Sequence, residues 1–162
     1  MANNDFRPCL YIIPEDDANR QIADGFILHH RVTNQVQIMP MAGGWENVVQ
    51  VIKEEYYPKL RNRIAVTVVG LIDCDEQSNR LGDVLHTTPE DIRDRIFFLS
   101  VLKNPEALKA IVNQRFEAIG EQLANECATE TYEMWNHEHL RHIANEADRA
   151  KATLRPILFP IE

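Results

Sequence analysis

Apolar residues along this chain cluster in short runs that alternate with stretches of helical period. CLYIIP, from Cys9 to Pro14, is rich in Ile and Tyr and gives way at once to EDD, which predicts a strand followed by a helix start. From Ala18 onward Ile22, Ala23, Phe26 and Ile27 form a helical stripe, interrupted by Gly25 and ending near His29 and His30. VQIMPM (36–41) predicts a second strand. After AGG, Trp45, Val48, Val49, Ile52 and Tyr56 fall at i, i+3, i+4, i+7 and i+11, one face of a helix that Pro58 is expected to end. Lys59, Arg61 and Arg63 then suit the exposed carbonyls of its last turn.

IAVTVVGLID (64–73) is apolar at almost every position. A strand apolar on both faces is covered on both, as in a parallel sheet flanked by helices. Thr88, Pro89 and Asp91 predict the cap, first-turn proline and acid of a short helix before a fourth strand, RIFFLSV (95–101). Asn104, Pro105 and Glu106 repeat that pattern. Phe116, Ile119, Gly120, Leu123 and Ala124 give a further stripe, and Leu140, Ile143, Ala144 and Ala147 extend the helical reading beyond Cys127. RPILFP (155–160) reads as an apolar tail docked on the core. The expected architecture is α/β: a Rossmann-like, mostly parallel four-stranded sheet flanked by helices, with a helical C-terminal third. One domain is expected, with an α/β core over 8–105 and a helical extension over 106–162 packed on it.

With 162 residues and 44% hydrophobic content the chain is long enough for one well-filled core. Its formal charge of −8 supplies no global field for nucleic acid or anionic membrane. A nucleic-acid role therefore needs a local basic patch, a bound cation or a partner. MANNDFRPC lacks the basic and apolar segments of a secretory signal, and the longest apolar run is too short to span a bilayer, so a cytoplasmic protein without membrane association is expected. Cys9, Cys74 and Cys127 are widely spaced and form no C-x-x-C, which argues against a disulfide framework or zinc ribbon.

The candidate chemistry lies where the strands end. In an open parallel sheet ligands bind outside the carboxyl ends of the strands. Glu15, Asp16 and Asp17 follow the first strand there, Gly43 and Gly44 the second, Asp73 and Asp75 the third, and Glu106 the fourth. Converging carboxylates repel unless protonated or neutralised by a cation. The oxygen set Glu15, Asp73 and Asp75 suits Mg²⁺ or Mn²⁺, with the Cys74 side chain expected to point away. Asp16, Asp17 and Glu106 are further candidate acids, although each also suits a helix cap or first turn. Gly43 and Gly44 either present amides to a phosphate or form a plain tight turn. His137, His139 and His142 match no specific zinc signature and read as a polar helix face. Arg61, Arg63, Arg80, Arg93 and Arg95 are candidate phosphate contacts or, individually, solvated charges.

A glutamate after the first strand, D-x-D after the third and the βαβαβαβ order resemble the Toprim domain. That metal-binding fold is shared by type IA and type II topoisomerases, bacterial primases and overcoming-lysogenization-defect nucleases. The resemblance covers residues 8–105. It implies Glu15 as catalytic acid, base or metal ligand, Asp73 and Asp75 as the metal-binding pair, Mg²⁺ or Mn²⁺ as cofactor, and phosphodiester chemistry on nucleic acid. It further implies a stand-alone protein working with a separate ATPase partner. Two positions depart from the family: Asp16 stands where Gly usually follows the glutamate, and Asn19 where nuclease members often carry another acid. Two other classes stay open. IIPEDDANRQ resembles the acidic pair of receiver domains, with a strand-three aspartate to accept phosphate, though Lys103 follows strand four and the M-P turn is absent. A catalytically silent, oligomerising interaction module would also fit the acidic charge and helical end.

Overall fold

The computed structural model describes residues 8–28, 35–73, 86–101, 105–129, 131, 133–137, 140–142 and 147–158. Four strands, β1 (Cys9–Pro14), β2 (Val36–Ile38), β3 (Val66–Asp73) and β4 (Ile96–Val101), pair in parallel in the order β2-β1-β3-β4. The result is a Rossmann-like α/β fold built on a mostly parallel sheet.

The double-sided apolarity of β3 has the expected cause, since all eight of its residues are buried and they alternate between two cores. Val69 and Leu71 join Leu10, Ile12 and Phe97 on one face; Val66, Val68 and Ile72 join Tyr11, Ile13 and Phe98 on the other. The first face is covered by α1 (Asp17–Leu28), α4 (Pro105–Val112), α5 (Phe116–Thr129) and α6 (Ala147–Leu158). The second is covered by α2 (Trp45–Val51) and α3 (Tyr57–Asn62) through Val48, Ile52, Tyr56, Tyr57 and Leu60. Side chains at i and i+4 on one helix thus meet every second residue of the sheet.

Several expectations are corrected. The helix from Trp45 does not end at Pro58: a π-helical turn over Ile52–Tyr56 joins α2 to α3, with the Tyr57 amide donating to the Ile52 carbonyl five residues back. Proline has no N–H and its ring crowds the carbonyl four residues earlier, and widening the preceding turn removes the conflict. Before β4 the chain forms a 3-10 turn, Arg93–Arg95, in place of the short helix expected to open at Thr88. The segment beyond Cys127 is not wholly helical either, because β5 (Leu140–His142) adds to the free edge of β4 in antiparallel sense. Its three residues carry too few positions for period 2 to stand out from a helical stripe. β2 is also shorter than VQIMPM, and Ile64 lies outside β3 with two thirds of its surface exposed.

Gly25, expected as an interruption, is a contact point. α5 lies so close on α1 that a Cβ at Gly25 would sit 1.9 Å from the Glu117 carbonyl oxygen, and one at Gly120 would sit 1.8 Å from that of Ile22. Backbone meets backbone there, and no rotamer change relieves a clash of this kind. Gly120→Ala is expected to lower unfolding free energy by about 3 kcal/mol, at the upper end of overpacking costs, read from the shift in urea midpoint at constant m-value.

On the other face Tyr11 and Tyr56 pack with ring centroids 5.2 Å apart, and Lys59 Nζ lies 5.2 and 5.1 Å from the two rings. Burial, then the nearby Glu55, raise the Tyr56 phenol to about 12. Tyrosine in the unfolded chain ionises near pH 10. Between those values the unfolded state has released a proton that the folded state keeps, so stability is full below about pH 10 and falls as pH rises towards 12. Chemical denaturation across this window checks the slope, which Tyr56→Phe should flatten.

Candidate functional site

The strand order β2-β1-β3 means that the chain leaves β1 in one direction and returns to its other side as β3. Helices then lie on opposite faces of the two strands, and a crevice opens at their carboxyl ends. β1 ends at Pro14 and β3 at Asp73, so Glu15 and Asp73 flank this switch point. The Glu15 amide extends the ladder by donating to the Leu71 carbonyl at 2.9 Å. Its side chain crosses to the neighbouring strand, where Oε2 accepts the Asp73 amide at 2.5 Å. Both acids are largely buried, at 9% and 7% exposure.

Buried carboxylates are costly unless hydrogen bonds replace their lost water. Asp73 Oδ1 accepts Asn19 Nδ2 at 3.0 Å. Asn19 lies in the first turn of α1, whose unsatisfied amides place partial positive charge at this end of the sheet. Asp16 caps that helix: its Oδ1 accepts the Asn19 backbone amide at 3.0 Å and Nδ2 at 3.1 Å. The residue standing in the usual place of glycine after the glutamate therefore serves the helix. Asp17 is exposed and engaged on the helix surface by Arg20 at 2.9 Å and Gln21 at 2.6 Å, which holds its carboxyl below the usual range, the Gln21 bond contributing most.

The double glycine closes the other side. Gly43 and Gly44 have φ of 85° and 148°, backbone that other residues rarely adopt. The Gly43 amide donates to the Glu15 carbonyl at 2.9 Å and the Ala42 amide to that of Pro14 at 3.0 Å, so the loop is stitched to the end of β1. Asn47 Nδ2 reaches back to the Ala42 carbonyl at 3.1 Å. Glu106 lies exposed in the first turn of α4, beside an open surface basin shared with Lys109, Asn113 and Arg115.

Asp75 and Cys74 lie outside the described residues, as do Arg80, Lys103 and His139. Glu15 and Asp73 are thus the two members of the expected triad that come together. Among the described residues no group of three or more His, Cys, Asp or Glu is arranged to hold a metal ion. Among the described residues the ligand atoms offered here are carboxylate oxygens without thiol or imidazole, a set that suits a hard divalent cation over zinc.

Three of the candidate arginines, Arg61, Arg93 and Arg95, have other work. Arg61 pairs with Asp91 at 3.0 Å, and Arg95 caps the end of α3 by donating to the Leu60 and Arg63 carbonyls at 2.6 and 2.8 Å. Arg93 donates to the Thr88 carbonyl at 2.8 Å. These groups precede β3 and β4, at the end of the sheet opposite Glu15 and Asp73. His137 sits in the 133–137 turn, and His142 in β5, so no shared helical face joins them.

Two polar residues escaped sequence reasoning. Asn19, 2% exposed, stood out only as a missing acid. Glu126, 3% exposed, accepts the Met134 amide on both oxygens at 3.0 and 2.9 Å and the Trp135 amide at 3.2 Å. It follows Ile119 and Leu123 at i+7 and i+3, so a glutamate on an apolar helix face was its readable signal.

No family model matches the chain, and no curated protein or solved structure is significantly similar to it. Among the described residues no helix is long and apolar enough to cross a membrane. As a first check on the construction of the crevice, Asp16→Ala should remove the α1 cap and cost about 1–2 kcal/mol, measured by urea unfolding.

Proposed function

We propose that this crevice carries out Mg²⁺- or Mn²⁺-dependent phosphodiester chemistry on nucleic acid, as a Toprim-like nuclease or nucleotidyl-transfer module. The observation that carries the reading is the joining of two largely buried carboxylates, Glu15 and Asp73, at the switch point of a parallel sheet. A Rossmann-like α/β architecture is compatible with a nucleotide- or metal-handling module, and the acids stand at the position where such folds bind ligands.

In this reading Glu15, Asp73 and Asp75 hold the cation. When bound, the ion supplies charge stabilisation for an in-line displacement at phosphorus and favours ionisation of an attacking water. The chain's own residues do the rest. The Asp73 amide fixes one oxygen of Glu15, which orients that carboxylate as ligand or proton acceptor. The Gly43–Gly44 loop leaves an open approach, since a Cβ on either glycine would meet nothing nearer than Asn47 Nδ2, at 3.8 and 3.9 Å. The Gly43 amide is committed to the Glu15 carbonyl, so phosphate contact by that loop falls to Gly44; this contact and work with a separate ATPase belong to the same proposal. Since Arg61, Arg93 and Arg95 are engaged at the far end of the sheet, the cation itself is the natural attractor for a phosphate in an acidic protein.

The test is cation-linked stability followed by activity. A divalent ion at about ten times its Kd stabilises by about 1.4 kcal/mol, worth roughly 3–5 °C in Tm at this chain length. Wild type is expected to show that shift with Mg²⁺ or Mn²⁺, and Asp73→Asn combined with Asp75→Asn to lose it. Metal-dependent nicking of plasmid or cleavage of single strands should vanish in the same variant. Transfer of phosphate to Asp73 from acetyl phosphate, without nicking, would instead favour a receiver-like signalling domain. Absence of both activities together with no cation shift would leave the interaction module.

A further inference from the structure

We infer that Asn19 is the positioning residue of the crevice: its neutral amide holds the Asp73 carboxylate in the orientation a divalent cation requires, without neutralising it. The inference rests on the reading of Glu15 and Asp73 as cation ligands.

A primary amide has two N–H hydrogens. Asn19 Nδ2 contacts one carboxylate on each side, Asp16 Oδ1 at 3.1 Å and Asp73 Oδ1 at 3.0 Å. Turning the amide over would set its carbonyl oxygen against two carboxylate oxygens, so electrostatics selects one orientation. The backbone amide of Asn19 is committed to the same Asp16 oxygen at 3.0 Å, which fixes the residue at its root as well as its tip. The side chain therefore ties the first turn of α1 to the end of β3, 54 positions further along the chain. The packing around it is mostly apolar: Asn19 shares a small cavity with Ile22, Leu71, Leu99, Ile119 and Leu123, Ser100 being the other polar residue of its lining, and is itself 2% exposed. A polar group is costly in such a place unless it is bonded, and these bonds direct it towards the acids.

The chemistry of the linking group matters. A lysine or arginine in this place would satisfy the carboxylates by cancelling the charge a cation needs. An aspartate would add a third negative group within contact of Asp16 and Asp73 and lower stability without the cation. A neutral double donor of asparagine length orients Asp73 and keeps the negative potential. Partners that orient a ligand in this way typically contribute about 10–100-fold to metal affinity.

The test compares Mn²⁺ binding by isothermal titration with Tm measured without divalent ions, for wild type, Asn19→Ala, Asn19→Asp and Ile22→Ala. Ile22→Ala weakens the same helix from its core face and controls for stability alone. Expected results are a Kd raised about tenfold or more in Asn19→Ala at unchanged stoichiometry, and an unchanged Kd in Ile22→Ala despite its lower Tm. Asn19→Asp should have a lower Tm without cation and a larger Mn²⁺-induced rise than wild type. A wild-type Kd in Asn19→Ala, or an equal loss in Ile22→Ala, overturns the inference. If Asn19→Ala does not fold, Asn19→Ser carries the same comparison. If wild type itself binds no Mn²⁺, the proposed function fails on its own. The crystal structure of the cation-free Asn19 variant then decides the positioning role: an Asp73 carboxylate turned away from its wild-type place supports it, and an unmoved one overturns it.

Discussion

Two carboxylates cannot be taken out of water side by side without something replacing their solvation, and that constraint organises the upper end of this molecule. Glu15 and Asp73 end adjacent parallel strands and are both largely buried. Charge-assisted bonds from backbone and amide donors are among the stronger ones a protein can offer. Here the Asp73 amide supplies one to Glu15, and Asn19 supplies one to Asp73. Two strands and one helix are thereby coupled at a single point, so displacement of any of them would strip solvation from an acid.

The position of α1 makes that coupling feasible. α1 carries Asn19 to the end of β3, and the same helix lies backbone to backbone against α5 because Gly25 and Gly120 carry no side chains. At the far end of α5 a third buried carboxylate, Glu126, gathers the backbone amides of the Met134–Trp135 turn, and the Trp135 indole N–H donates to the Leu123 carbonyl at 3.0 Å. That carboxylate is occupied by backbone amides and Gln122, as a structural acid at a turn would be.

Much of the α/β frame was legible because period and burial coincide. The two-sided run of β3 declared its own covering, and the stripes of α1, α2 and α5 named the faces that pack. Where two local preferences compete, the reading failed. Pro58 is a helix breaker, yet Tyr56, Tyr57 and Leu60 all gain burial if the helix continues, and a π turn reconciles the two. β5 is three residues long, and its existence depends on a free edge of β4 that no local pattern reveals. For the site, acidity after strands pointed to Glu15 and Asp73, while sequence alone could not separate ligands from caps. Asp16 resolves as a cap and Asp17 as a surface partner of Arg20 and Gln21 only once the helix start is placed. The bridging role of Asn19 was invisible for a physical reason: asparagine at a helix start is ordinary, and only its distant partner makes it otherwise.

The most direct measurement is anomalous diffraction from crystals of the full chain grown with Mn²⁺. The account predicts a manganese peak within coordination distance of the Glu15 and Asp73 carboxylates, with Asn19 Nδ2 still bonded to Asp73. Saturating Mn²⁺ with no peak between those side chains, or with the two acids turned towards separate regions of solvent, would contradict it.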